Sequence, residues 1–226
     1  MAPRNRANPL ALAVLICLAE RTMHPYEMAT TLRERGKHFS VRLNYGSLYA
    51  VVESLERRGL IEAVETQREG RLPERTVYRV TQTGLVEAHD WLSDLLSTPV
   101  KEYPAFEAAL SFLPALRPDD AARLLEERAV RLEIEVAQAE ATREMAAKRG
   151  FPRLFWVEEE FALRLKKAEL AYATQLARSV RERSLDGIEW WQQVHEGKGP
   201  VPLPPDWRWP FADRGAPDRG ETSADE

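Results

Sequence analysis

The chain has 226 residues, 44% of them apolar, a net charge of −4 and one cysteine, Cys17. That length and apolar content suffice for a buried core and favour two domains over one, while a single cysteine excludes an intrachain disulfide and points to a reducing compartment. The charge is uneven: residues 1–84 hold 13 Lys and Arg against 9 Asp and Glu, or +4, and the remainder 19 against 27, or −8, so only the first part suits a polyanion.

Asn8-Pro9 offers a capping side chain followed by proline at the first helical position, and the run to about Arg21 reads as a helix buried nearly all round. Cys17 lies within it and reads as a small buried hydrophobe rather than a reactive thiol. Leu10 to Leu18 is too short to cross a bilayer and lacks a small-residue cleavage pattern. Neither an anchor nor a signal peptide is therefore expected, and the cytoplasm is the expected location. His24-Pro25-Tyr26-Glu27 again places proline just inside a helix start, with Met28 and Leu32 facing inward and Gly36 at the end. Lys37 to Leu43 carries no helical stripe and reads as a connector or brief strand.

The next helix organises the first domain. Leu48, Val51, Val52 and Leu55 recur at i, i+3, i+4 and i+7 and make one apolar face. Asn44 caps its start, Arg57 and Arg58 suit the negative end of its dipole, and Gly59 supplies a left-handed stop. Away from the stripe, its first two turns carry Gly46, Tyr49 and Ala50, flanked by Tyr45 and Ser47. This small, hydrogen-bonding end can approach a phosphate or a groove edge, whereas Glu53 and Glu56 would repel a polyanion.

Leu60 to Thr66 and Arg75 to Thr81 alternate apolar and polar residues and read as a hairpin. Gly70 and Pro73 turn the chain between them, and Arg68, Arg71 and Arg75 project charge towards phosphate or the minor groove. Three helices followed by a basic hairpin make a winged helix-turn-helix. Gln82 to Ser97 is a further helix with Leu85, Ala88, Trp91, Leu92 and Leu95 on one side. Thr98 to Pro104, with two prolines, is the expected boundary.

Ala105 to Leu116 reads as helical, and Pro118 opens a long helix whose Ala122, Leu125, Ala129, Leu132, Val136 and Ala139 step by three and four. Gly150-Phe-Pro breaks it. From Leu154 to about Leu185 a second long helix places Phe161, Leu165, Ala168, Tyr172, Leu176 and Val180 on one face. The two form an antiparallel pair whose remaining apolar surface favours a second copy as partner, with Leu125, Leu132, Val136, Phe161, Leu165, Tyr172 and Leu176 in the dimerisation region. The expected fold is mainly α: a winged helix-turn-helix with its linking helix over residues 1–98, a helical dimerisation domain over 99–196, and a Pro- and Gly-rich, mostly irregular tail over 197–226. Trp190, Trp191, Trp207, Trp209 and Phe211 are unusual for an inert tail, and Pro200 to Pro210 suits an extended segment docked on a neighbouring surface.

The pieces Asn8-Pro-Leu-Ala, His24-Pro-Tyr-Glu, Gly46-Ser-Leu-Tyr49, Glu56-Arg-Arg-Gly-Leu-Ile61 and Val77-Tyr-Arg-Val-Thr-Gln-Thr-Gly84, in this order, closely resemble the PadR family of bacterial transcriptional regulators. Pro25 stands where many members carry glycine. Phe106-Glu-Ala-Ala-Leu-Ser-Phe-Leu113 and the long helices look like that family's longer C-terminal dimerisation domain, so the likeness covers about residues 8–185. The resemblance implies a homodimeric repressor that binds a pseudo-palindromic operator in double-stranded DNA and is released by a small hydrophobic or aromatic effector. By position it assigns Tyr45, Ser47 and Tyr49, at the Gly46 end of the helix, to the groove. It assigns Lys37 and Arg42 to the DNA backbone, and Arg68, Arg71 and Arg75 to the wing contacts. Two such helices related by a two-fold axis would meet successive major grooves about 34 Å apart.

Trp91, Phe155 and Trp156 are the aromatics that would line an effector pocket, with plain core packing as the competing reading. His24, His38, His89 and His195 have no metal-ligand spacing and no phosphate-cradling glycine loop is present, so neither metal, cofactor nor catalysis is expected. Glu158-Glu-Glu160 reads as a solvated helix start. The alternative to a DNA-binding regulator is a winged helix used only for protein contact.

Overall fold

The computed structural model describes residues 8–67 and 75–196. Arg68, Arg71 and the hairpin turn lie outside these residues, as does the tail from 197 onward. The chain divides into two compact units, Met1–Tyr103 and Pro104–Glu226.

The first unit is built around α1 (Pro9–Glu20), α2 (Pro25–Glu34) and α3 (Tyr45–Arg57). Asn8 caps α1, its side chain accepting from the Leu10 N–H at 3.1 Å, and Leu10, Val14, Leu15, Cys17 and Leu18 are all buried. Burial raises the Cys17 thiol above its ordinary pKa, consistent with a packing role. At α2 the cap is His24. Its Nδ1 accepts from the Glu27 N–H, and the Glu27 carboxylate accepts from the His24 N–H in return. Proline had marked this start, but glutamate at the third helical position was the signal for the full capping box.

Gly36, at φ +70°, ends the helix, and Lys37–Phe39 forms a 3₁₀ turn rather than a strand. Asn44 caps α3 through the Ser47 N–H at 2.7 Å, and Leu48, Val51, Val52 and Leu55 face the core. Gly59 adopts φ +67°, where glycine avoids the Cβ clash that an L side chain would meet.

Strands β1 (Ile61–Gln67) and β2 (Arg75–Val80) pair antiparallel, with Ile61 opposite Val80 and an irregularity between Ala63 and Glu65. Met23, between α1 and α2, adds two backbone hydrogen bonds to Tyr78 and so ties the base of the wing to the helical core. Helix α4 (Gln82–Ser97) begins at Thr81, whose hydroxyl accepts from the Gly84 N–H. Its inward face is Gly84, Glu87, Ala88 and Trp91. The expected stripe is therefore rotated: Ala88 and Trp91 are inside, but Leu85, Leu92 and Leu95 are exposed. Gly84 sets this rotation. A Cβ there would lie 2.0 Å from the Leu60 carbonyl oxygen, so only glycine lets α4 approach the wing so closely.

The second unit starts with α5 (Ala105–Ser111) and a 3₁₀ turn over Leu113–Ala115 instead of one helix to Leu116. Pro114 explains the break, because proline has no N–H to continue the ladder. Helix α6 (Pro118–Lys148) and α7 (Val157–Arg181) form the antiparallel hairpin. Leu125 packs with Ala173 and Ala177, while Ala121 and Ala122 meet Val180. Small residues on α7 let the two backbones approach, and Arg181–Glu126 and Lys166–Glu135 pairs flank the seam.

The single face expected for α7 splits in two. Its inward residues are Leu163, Ala173, Ala177 and Val180, with Leu176 half-buried, whereas Phe161, Leu165 and Tyr172 are 64%, 55% and 52% exposed. Leu125, Leu132 and Val136, expected in the dimerisation region, are buried within the single chain, Leu125 against Ala173 and Ala177. The helix also starts at Val157, after a 3₁₀ turn over Arg153–Trp156, rather than at Leu154. A short helix absent from the expected elements, α8 (Ile188–His195), follows a left-handed Gly187 and packs Ile188 and Trp191 against Ala121, Ala122 and Val180. Among the described residues, no helix is long and apolar enough to cross a membrane.

Candidate nucleic-acid interface

The capped start of α3 presents Tyr45, Gly46, Ser47 and Tyr49 outward, as the periodicity of its buried face requires. Asn44 occupies the Ser47 N–H, so the helix start is fixed by its own cap. A Cβ on Gly46 would meet nothing closer than the Asn44 Oδ1 at 3.8 Å, so glycine keeps the surface low rather than relieving a clash.

Tyr45 is held from both sides. Its ring is parallel to that of Tyr26 on α2, with centroids 6.1 Å apart and planes 8° apart. The Arg33 guanidinium sits 4.6 Å from the Tyr45 centroid, and Arg33 Nη1 donates to the Tyr45 hydroxyl at 2.7 Å. Arg75, at the start of β2, lies 5.8 Å from the Tyr26 ring and 3.4 Å from His24 Nε2. Arg33, Tyr45, Tyr26 and Arg75 thus connect α2, α3 and the wing in one cation–aromatic row, exposed except for the half-buried Arg75. Such contacts contribute about 0.5–1 kcal/mol each at exposed positions. Their main effect is geometric: two phenols and two guanidiniums are presented in fixed order beside the helix start.

The sequence reading assigned neither Tyr26 nor Arg33 to the DNA surface. The available signal was the exposed i, i+7 spacing of two groups on α2 that share its outer side with no apolar neighbour. Tyr49 is half-exposed and, with His24, Pro25, Tyr26, Glu53, Arg75 and Tyr78, lines a recess of about 210 Å³ between the wing and the helices. Arg42 is exposed ahead of α3, and Lys37 is half-buried in the 3₁₀ turn. Within the described residues, then, Tyr45 and Arg75 belong to one contiguous row and Tyr49 to the recess beside it.

Charge pairs fix the frame beneath this surface. Arg35 makes two hydrogen bonds, 2.6 and 2.7 Å, to the Glu20 carboxylate, which joins the ends of α1 and α2 and holds the Glu20 pKa below its ordinary value. Burial works to raise Glu27, but the His24 amide, the His24 ring and Arg21 together leave its pKa lowered.

The aromatics expected at an effector site fall in both units. In the first, Trp91 is 1% exposed and packs in the core. In the second unit Phe155 is exposed beside Phe151, and the Trp156 indole donates to the Phe151 carbonyl at 3.4 Å. Among the described residues, no group of three or more His, Cys, Asp or Glu is placed to hold a metal ion.

Among curated proteins, no sequence matches the chain significantly. Solved structures do. Bacillus subtilis PadR in complex with operator DNA superposes with a TM-score of 0.62 at 18% identity, covering 76% of this chain and 99% of that one. The same protein in complex with p-coumaric acid gives 0.61 at 17%, covering 76% and 98%. The Vibrio cholerae virulence activator AphA gives 0.54 at 16%, covering 77% and 99%. At these identities the likeness is one of fold. The sequence pattern of the transcriptional regulator PadR-like family matches residues 14–90, the span from α1 through the wing into α4. Over that segment the chain is similar to the PadR-like transcriptional regulators.

Proposed function

We propose that this regulator is a homodimeric repressor that binds a two-fold operator in double-stranded DNA, in the cytoplasm, and is released by a small hydrophobic or aromatic effector. The observation that carries the DNA reading is the Arg33–Tyr45–Tyr26–Arg75 row at the start of α3. It combines a low-bulk helix start with cations on both sides, as phosphate positioning beside a groove requires. In this reading residues 1–98 hold the DNA, residues 99–196 hold the second copy, and Ser47 and Tyr49 face the bases. A solved PadR structure of the same fold contains operator DNA, and another contains p-coumaric acid, which supports both partner classes.

The dimer is supported by the apolar side chains that the hairpin leaves exposed, Val130 and Ile134 on α6 and Phe161, Leu165 and Tyr172 on α7. Apolar side chains of this number on two long helices are what a second copy would cover.

The test is an anisotropy titration of the purified protein against DNA from upstream of its own gene, over a salt series, with unrelated DNA as control. Tight, salt-sensitive binding to a two-fold site with two subunits per duplex is expected. Equal, weak binding to both DNAs by an intact dimer would favour the protein-contact reading instead.

A further inference from the structure

The second unit contains a groove of about 340 Å³ along one side of α6, walled by Phe106, Leu110, Leu113, Leu116, Leu124 and Leu132. None of the seven residues of α5, which forms one wall, is buried. A helix of that length has no stability of its own and depends on what it packs against. The groove therefore lacks a cover on its apolar side.

The course of the chain points to what supplies it. Helix α8 ends at the turn that closes one end of the groove: His195 Nε2 lies 2.9 Å from the Pro114 carbonyl oxygen, and the Trp191 indole donates to the Leu116 carbonyl at 2.7 Å. The chain thus leaves α8 between Leu113 and Leu116, two of the wall residues. Thirty residues remain, and they begin Gly-Lys-Gly-Pro-Val-Pro-Leu-Pro-Pro-Asp-Trp-Arg-Trp-Pro-Phe.

Length and chemistry both fit. From Ala121 to Glu135, the α6 residues lining the groove, the helix rises ~21 Å. A proline-rich extended chain advances about 3.1 Å per residue, so roughly seven residues fill that distance. Leu203 to Trp209 is such a stretch, with an apolar residue at its start and two indoles at its end. Pro204 and Pro205 carry no N–H, so laying them on an apolar wall buries fewer unpaired donors than another sequence would. Asp206 and Arg208 fall in the same stretch, and the groove lining carries Arg128, Arg131 and Glu135, so each side offers both signs of charge.

We propose that Leu203–Trp209 occupies the α5–α6 groove of its own chain and covers the open side of α5. This goes beyond the regulatory reading and does not depend on DNA binding.

The test is amide hydrogen exchange of the full chain over residues 105–116, comparing the unaltered protein with the Leu203→Asp/Trp207→Ala/Trp209→Ala variant at several concentrations. The variant is expected to exchange on the order of tenfold faster in α5 at every concentration, with α1 to α3 unchanged. Equal exchange in the two proteins overturns the proposal. So does protection that survives in the variant and rises with protein concentration, since a second copy then fills the groove. As an independent readout, the full chain carrying Cys17→Ser, Leu124→Cys and Leu203→Cys is expected to form an intrachain disulfide under mild oxidation. Only interchain bonding, or none, overturns the assignment.

Discussion

The ring of Tyr45, at the first position of α3, lies parallel to that of Tyr26 on α2, 6.1 Å between centroids and 8° between planes. Two exposed aromatics from different helices are thereby locked at the helix start that faces outward. Both rings also carry a guanidinium, Arg33 on one and Arg75 on the other. The pair couples the helix to the wing without using the core.

If this stack organises the DNA surface, Tyr26→Ala should leave the fold intact, because the ring is exposed, yet weaken operator binding. Tyr26→Ala and Tyr45→Ala should also be non-additive, by about 0.5–1.5 kcal/mol. Anisotropy titrations of the two single variants, the double variant and the unaltered protein measure this directly. Fully additive losses would show that the two rings act separately.

Positioning and base reading should separate by substitution. Arg71→Ala, in the wing turn outside the described residues, is expected to weaken binding to all sequences and reduce the slope of log K against log salt by about 1. Ser47→Ala is expected to alter which bases are preferred, with little change in that slope. Identical, sequence-independent losses from both would remove the distinction.

Gly84→Ala introduces a carbon 2.0 Å from a backbone oxygen, which no side-chain rotation can relieve. Helix α4 must then move off Leu60, and a loss of at least about 1–3 kcal/mol is expected. Urea unfolding of a protein in which Trp91 is the one tryptophan kept, followed by its emission, reads the shift in midpoint. An unchanged midpoint would mean that α4 does not pack this closely.

Acid should destabilise the first unit through Glu20 and Glu27. Both carboxyls have folded pKa values below their unfolded ones, Glu20 chiefly through Arg35. Their contribution is therefore present above the unfolded value of about 4.3 and is lost as pH falls through the folded values. Urea midpoints are expected to be level from about pH 7 to pH 5 and to drop below about pH 4. Glu20→Gln should flatten that drop. Both groups remain substantially exposed, so solvent screening keeps the effect modest.

The two sides of α7 make opposite predictions. Tyr172→Asp on the exposed side should leave helicity unchanged and shift the mass measured by light scattering from dimer towards monomer. Leu163→Asp on the buried side should cost about 3 kcal/mol or more and reduce helicity itself. A Tyr172→Asp protein that stays dimeric would place the contact between copies elsewhere.

Local chemistry made much of the chain legible. Asn8, Asn44 and Gly59 cap or stop helices through their own side chains or their own backbone freedom, and each does so where its sequence neighbours place it. The stripe of α3 has one solution, because Leu48, Val51, Val52 and Leu55 are its only large aliphatic groups and go inside, while Tyr45 and Tyr49, each with a hydroxyl, stay exposed. Helices α4 and α7 were ambiguous for the opposite reason. Both are apolar on more than one side, and periodicity cannot say which side meets the chain itself. Gly84 and Ala88 mark the inward face of α4, and Ala173 and Ala177 that of α7, because small residues permit close approach.

The sequence by itself determined where the helices of the winged unit begin and end, which face of α3 is buried, and that its outward N-terminal end is small and polar. Capping, stop and periodicity are interactions among residues a few positions apart, so they can be read in one dimension. Only the tertiary structure decided that Tyr26 and Arg33 join Tyr45 and Arg75, that Trp91 is core, and that α8 folds back onto α6. Those depend on backbones separated by tens of residues coming within van der Waals reach, and the small side chains that allow such approach leave no periodic mark.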